Sequence, residues 1–225
     1  FVPKNNAKRL KQTISRNIYL LIKCTSNMLF ANIVEEIQSI IDRTDYSLSI
    51  TYLDEDSNLS SVTDRICRER KPLGIIFLGG SWVDFSEDTS SFKVPCVIVT
   101  TSAENWSMEE LSSVAIDDEK AGETIVDYLI EHGHTKIAEI GANLELSQTA
   151  ILRHNGYLNS FKKHGITPDE RYYERALFSY DSAYHAMNKL LEKNIEITAV
   201  YAISGVMAIG ANRALQDKGL REPEA

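Results

Sequence analysis

No apolar run of about 18 or more residues occurs in the 225-residue chain, so no stretch of it reads as a membrane-spanning helix. Nor does the start read as a secretory leader. IYLLIKC has polar flanks and no small-residue cleavage site. Cysteine is scarce. Cys24, Cys67 and Cys96 are odd in number, far apart, and each lies in or beside an apolar run. This argues against a disulfide framework and reads as buried, reduced thiols in a cytoplasmic protein. Low-complexity tracts and internal repeats of 20 to 50 residues are also missing. So are the G-x-S-x-G elbow, the Walker loop and G-x-G-x-x-G, and no nucleophile with a partner base stands out. The expectation is a non-enzyme, with no catalytic residue and no cofactor. His132 and His134 flank Gly133, but no third metal ligand lies at a familiar spacing, so they read as helix-end histidines and no metal site is expected.

What is present is an uneven charge. The net charge is -8, yet residues 1–16 hold Lys4, Lys8, Arg9, Lys11 and Arg16 and no acid. The other 19 basic and all 32 acidic residues follow, so the body carries -13. A basic arm on an acidic body suggests that only the arm approaches a polyanion; a solvated tail fits the same charges.

Beyond the arm, strand and helix signals alternate. Ile18 to Cys24 is a buried-strand run, and FANIVEEIQSII carries a helical stripe at Ile33, Val34, Ile37, Ile40 and Ile41. YSLSITYL, LGIIFLGG and VPCVIVT read as strands, and LSSVTDRICRER as a helix. DDEKAGETIVDYLIEHGH, TAILRHNGYLNSFKKHG, SAYHAMNKLLEKN and GVMAIGANRALQDKG are further helices, with KIAEIG and ITAVYAIS as strands. Such alternation predicts an α/β fold, a doubly wound parallel sheet with helices on both faces. After Ile140 only two or three strands are found, so the second half is expected to be incomplete.

Several residues have two readings. Gly79-Gly80 ends a strand, where a tight turn and a ligand edge coincide. Asp117 and Asp118 follow the strand-like VAI and suit a helix N-cap or a ligand. Arg153 precedes Gly156-Tyr157 by one turn and suits surface or site. Phe178 and Tyr180 suit ring stacking or partial burial.

Five of these pieces, in order, resemble the LacI/GalR family of bacterial transcription regulators. Val2-Pro3-Lys4-Asn5-Asn6-Ala7-Lys8-Arg9-Leu10 is similar to the family's hinge, and SNMLFANIVEEI to its Ser-Asn-Pro-Phe-Phe helix start. VAIDDEKAGETIVDYLIEHGHTKIAEIG, LRHNGYLNSFKKHGI and AISGVMAIGANRALQDKGLREP resemble three later motifs. The resemblance covers essentially the whole chain. It implies two doubly wound lobes of periplasmic-binding-protein-like type I with a ligand cleft between them. Residues 1–16 become a hinge to a missing helix-turn-helix domain, 17–140 the first lobe, and 141–225 a truncated second lobe.

The implied function is the effector-binding and dimerisation core of a cytoplasmic DNA-binding regulator. Its partners would be a sugar-like small molecule, operator DNA and a second copy, with no membrane. The alternative is a periplasmic-type sugar-binding protein without a DNA role. Carried over by position, Ser26, Asn27, Phe30, Ser81, Trp82, Asp117, Arg153, Phe178 and Ser204 line the cleft. Lys4, Asn5, Ala7, Lys8, Arg9 and Leu10 form the DNA-contacting hinge, with Leu10 as a minor-groove wedge. Two departures stand out: Ser204-Gly205 replaces the family's Asn-Asp, and Lys8 replaces its hinge arginine.

Overall fold

The computed structural model describes residues 15–23, 28–54, 57–85, 93–104, 106, 110–145 and 147–220, with only the backbone of Met28, Trp82 and Val83. The hinge residues Lys4, Asn5, Ala7, Lys8, Arg9 and Leu10, with Ser26 and Asn27, lie outside this set.

The first strand shows how sequence becomes layers. In β1 (Asn17–Lys23) the apolar residues are continuous, and alternate side chains point to opposite faces. Leu20 and Ile22 enter a core with α1 (Met28–Ile41), which contributes Phe30, Ile33, Val34 and Ile37. Leu21 points the other way, into a core with Leu59 and Ile66 of α2 (Leu59–Arg70). The chain continues through β2 (Ser47–Leu53), β3 (Gly74–Leu78), a 3-10 turn (Trp82–Phe85), β4 (Cys96–Val99) and β5 (Leu111–Val114). The sheet is parallel throughout, in the order β2-β1-β3-β4-β5.

Cys96 is buried beside Ile98 and Phe77, and burial is the main cause that pushes its thiol up to about 12. Cys67 is half-buried against the same core. Both are free thiols, and Cys24 lies outside the described residues.

The second lobe comprises α3 (Asp118–Glu131), β6 (Ile137–Gly141), α4 (Gln148–Lys163), a 3-10 turn (Glu170–Tyr172), β7 (Tyr173–Arg175), α5 (Tyr180–Glu192), β8 (Ala199–Ala202) and α6 (Gly205–Asp217). Its parallel sheet has the order β7-β6-β8. Here the structure corrects the expected division after residue 140. β6 pairs with β7 and β8, and Val126 of α3 belongs to the second lobe's core. The change of lobe therefore falls between Val114 and Asp118.

Glycine sets how closely α3 and α4 pack. A Cβ on Gly156 would lie 2.2 Å from the Glu119 carbonyl oxygen, and one on Gly122 2.6 Å from that of Arg153. The two backbones touch where a side chain would hold them apart. At the far end of the pair, Asp127 accepts from Ser160 Oγ at 2.5 Å, Lys163 Nζ at 2.6 Å and His164 Nε2 at 3.0 Å. Burial pushes the Asp127 carboxyl up, but these three donors together hold it down at about 2.

Candidate functional site

In parallel sheets, ligands bind beyond the carboxyl ends of the strands. Those ends meet here. Gln148, which starts α4 after the loop that follows β6, donates from Nε2 to the carbonyl of Ser102, just after β4, at 3.1 Å. The space between the lobes is therefore lined by the loops that follow the strands of both sheets.

On the first lobe the rim begins at Gly79 and Gly80, whose φ values are +78° and +116°. A Cβ on Gly79 would lie 2.6 Å from the Lys23 carbonyl, and one on Gly80 2.7 Å from Leu59 Cδ1. Only glycine allows this turn at this depth. Ser81 follows and is buried. Its N–H donates to Asp84 Oδ2 at 2.8 Å, while Lys23 Nζ pairs with Asp84 Oδ1. Lys23 and Asp84 side chains keep only 15% and 7% exposure, so the pair closes off the end of β1.

Phe30 is drawn into the α1 core, 9% exposed. Trp82 opens the 3-10 turn, and only its backbone is described.

On the second lobe, Asp117 and Asp118 separate into two roles. Asp117 is the N-cap of α3, accepting the Lys120 N–H at 2.8 Å. Asp118 is buried and pairs with Arg153. Its Oδ1 lies 2.8 Å from Nε and 2.7 Å from the second guanidinium nitrogen, Nη2. The Asp118 side chain is 4% exposed and that of Arg153 23%. Burial pushes the Asp118 carboxyl above its usual range, and the arginine opposes this. Arg153 also donates from Nη1 to the Ile203 carbonyl at the end of β8. The guanidinium is thus fixed from two sides, with N–H groups left over.

The next residue, Ser204, starts α6 without making a side-chain cap bond. Its hydroxyl is buried and has no partner. An unpartnered buried hydroxyl is uncommon inside a fold, and this one belongs to the residue after Ile203, whose carbonyl holds Arg153. Phe178 follows β7 and is half-buried against the second lobe's core, which leaves part of its ring available.

Arg153 and an acidic residue are brought together one residue before Ser204, and that acidic residue is Asp118 rather than Asp117. Ser81 belongs to the facing rim. Motif reading missed Lys23, Asp84, Ser102 and Gln148. It also missed a buried pair in the second lobe, where Glu139 Oε2 lies 2.7 Å from His154 Nδ1. Glu139 is 1% exposed, and burial pushes its carboxyl up against the opposing pull of His154. No spacing rule finds such pairs, because their members are 15 to 61 residues apart.

Among the described residues no three His, Cys, Asp or Glu side chains are grouped to hold a metal. No helix among them is long and apolar enough to cross a membrane.

Residues 15–225 match the family of periplasmic binding proteins and the sugar-binding domain of the LacI family. The HTH-type transcriptional regulator MalR of Clostridium butyricum is 31% identical over 228 residues, covering 99% of this chain and 67% of that protein. The chain thus spans about two thirds of the length of the curated relatives it matches. Among solved structures, the lac repressor dimer bound to operator and the anti-inducer ONPF has a TM-score of 0.79 at 22% identity. It covers 98% of this chain and 76% of that one. The complex of the transcriptional regulator CelR with cellobiose has a TM-score of 0.75 at 22% identity, covering 96% and 68%. With two parallel-sheet lobes, a rim of fixed polar groups between them and this match over nearly its whole length, the chain belongs to the LacI family.

Proposed function

We propose that the chain is the effector-binding core of a transcription regulator that takes a small polyhydroxylated molecule, a sugar, between its lobes. One observation carries this reading: the guanidinium of Arg153 is fixed by Asp118 and by the carbonyl of Ile203, the residue before Ser204, whose buried hydroxyl has no partner. Planar donors and a free hydroxyl suit adjacent sugar hydroxyls, and the half-buried ring of Phe178 suits a sugar face. The turn at Gly79, Gly80 and Ser81 forms the opposite rim. In this reading the basic segment with Lys4, Asn5, Ala7, Lys8, Arg9 and Leu10 is a hinge toward operator DNA. The protein works in the cytoplasm as a homodimer.

Cleft closure would alter the spacing of the two hinges, provided that the ligand binds one lobe arrangement better than the other. The named relative MalR and the operator-bound lac repressor support the regulatory reading, and the cellobiose complex of CelR supports the ligand class. A thermal-shift screen of sugars, sugar phosphates and purines tests it. At least one sugar at about 100 times its Kd is expected to add roughly 2.7 kcal/mol to stability, read as a rise in Tm. A flat response across the whole set contradicts the reading.

A further inference from the structure

We infer that Gln148 is a latch between the two lobes, and that its single bond to the Ser102 carbonyl sets how often the cleft stands open. The inference rests on reading that space as a cleft that opens and closes.

Each of the three apolar cores lies wholly within one lobe. Among the described residues, therefore, no shared core holds the lobes together. Among the described residues, the other side-chain hydrogen bonds and ion pairs also stay inside one lobe. The 3.1 Å bond from Gln148 Nε2 to Ser102 O is the one that crosses.

Both ends of the bond are held in place. On the first lobe, Thr100 has φ +74°, a costly conformation for a β-branched residue. It is kept there by its N–H bond to the Val114 carbonyl at 2.8 Å, while Thr101 Oγ1 donates to the Gly80 carbonyl at 3.0 Å. The Ser102 carbonyl is therefore presented by a strained, anchored loop. On the second lobe, Gln148 is the first residue of α4, whose N-terminus is capped by Ser147. The same helix carries Arg153. A bond at Gln148 thus couples the first lobe directly to the helix that holds the ligand-facing arginine.

Among the described residues the amide has no second anchor. Gln148 Oε1 is buried without a partner. Since the Ser102 carbonyl can only accept, the amide must present its nitrogen, which fixes its orientation. If the lobes part, no other hydrogen bond among the described residues keeps this side chain in its present position, so making and breaking the bond follows lobe opening.

The test uses no ligand. Spin labels on unnatural residues at Asp42 and Glu192, both exposed and on different lobes, report the interlobe distance by pulsed dipolar spectroscopy. Gln148→Ala removes the donor, and Gln148→Glu keeps the shape but places an acceptor against the carbonyl. Both are expected to raise the population of the longer-distance component about three- to tenfold, the effect of losing one net hydrogen bond. Distance distributions that superimpose on the native one in both variants, or that shorten, overturn the latch. A failed ligand screen would leave this result standing, and a failed latch would leave the effector site standing.

Discussion

Gly156→Ala is expected to destabilise the second lobe by about 1–3 kcal/mol, and Gly156→Val by at least as much. The methyl group would arrive 2.2 Å from the Glu119 carbonyl and 2.6 Å from the Glu123 nitrogen. Both are backbone atoms of α3, so no side-chain rotation relieves the clash. α3 and α4 must separate, which loosens the packing of Val126 on α3 and of Tyr157 and Phe161 on α4 in their common core.

Helix propensity opposes this effect, since alanine is preferred over glycine by about 1 kcal/mol in a helix interior. Sterics should win, because Gly122 already brings α3 within touching distance of Arg153 on the same contact. Urea denaturation measures the outcome. A midpoint equal to or above the native one would mean that the two helices have room to spare.

Arg153→Met is the second large effect, and it acts on both stability and ligand. Methionine fills much of the same volume but leaves Asp118 buried without its cation. Breaking a buried pair in this way costs about 3–5 kcal/mol. With 23% of the arginine side chain exposed, solvent screens part of that, and about 2–3 kcal/mol is the expected loss.

The loss has a defined pH dependence. Burial already holds the Asp118 carboxyl above its usual range, and removing the arginine raises it further. The folded state then binds the proton more tightly than the unfolded chain. Stability falls as pH rises through that window, so the deficit is largest at neutral pH and shrinks toward pH 4. Asp118→Asn in the same background should recover much of the stability without recovering ligand binding. A variant that keeps native affinity for the sugar would remove Arg153 from the site.

Much of this architecture was legible from pattern alone. The run from Ile18 to Cys24 and the helical stripe of α1 need only periodicity, and the two faces of β1 (Asn17–Lys23) follow from it. The glycine of the Arg-x-x-Gly-Tyr motif was visible as a motif, but its reason was not. It lies in a backbone contact with α3, more than thirty residues earlier in the chain. The division between lobes was misplaced because α3 and β6 continue the same alternation of strand and helix. Nothing in that pattern says which sheet a strand will join.

Around Arg153, the sequence does not single out its partner. Asp117 and Asp118 are equivalent in composition. Helix geometry separates them, turning the N-cap side chain back on the Lys120 N–H and the next one toward α4. Gln148 gave no signal, since glutamine at a helix start is ordinary and its partner is 46 residues away. The positive φ of Thr100 left no trace either, because threonine is the wrong residue type to announce it.

Hydrogen–deuterium exchange of the protein, with and without the sugar that gives the largest rise in Tm, tests the central claim most directly. A ligand held between the lobes should slow exchange on both rims at once: residues 79–85 and 98–104 on the first lobe, and 148–155 and 203–208 on the second. Protection confined to one lobe, or none at saturating sugar, would contradict the account of a cleft closed around its effector.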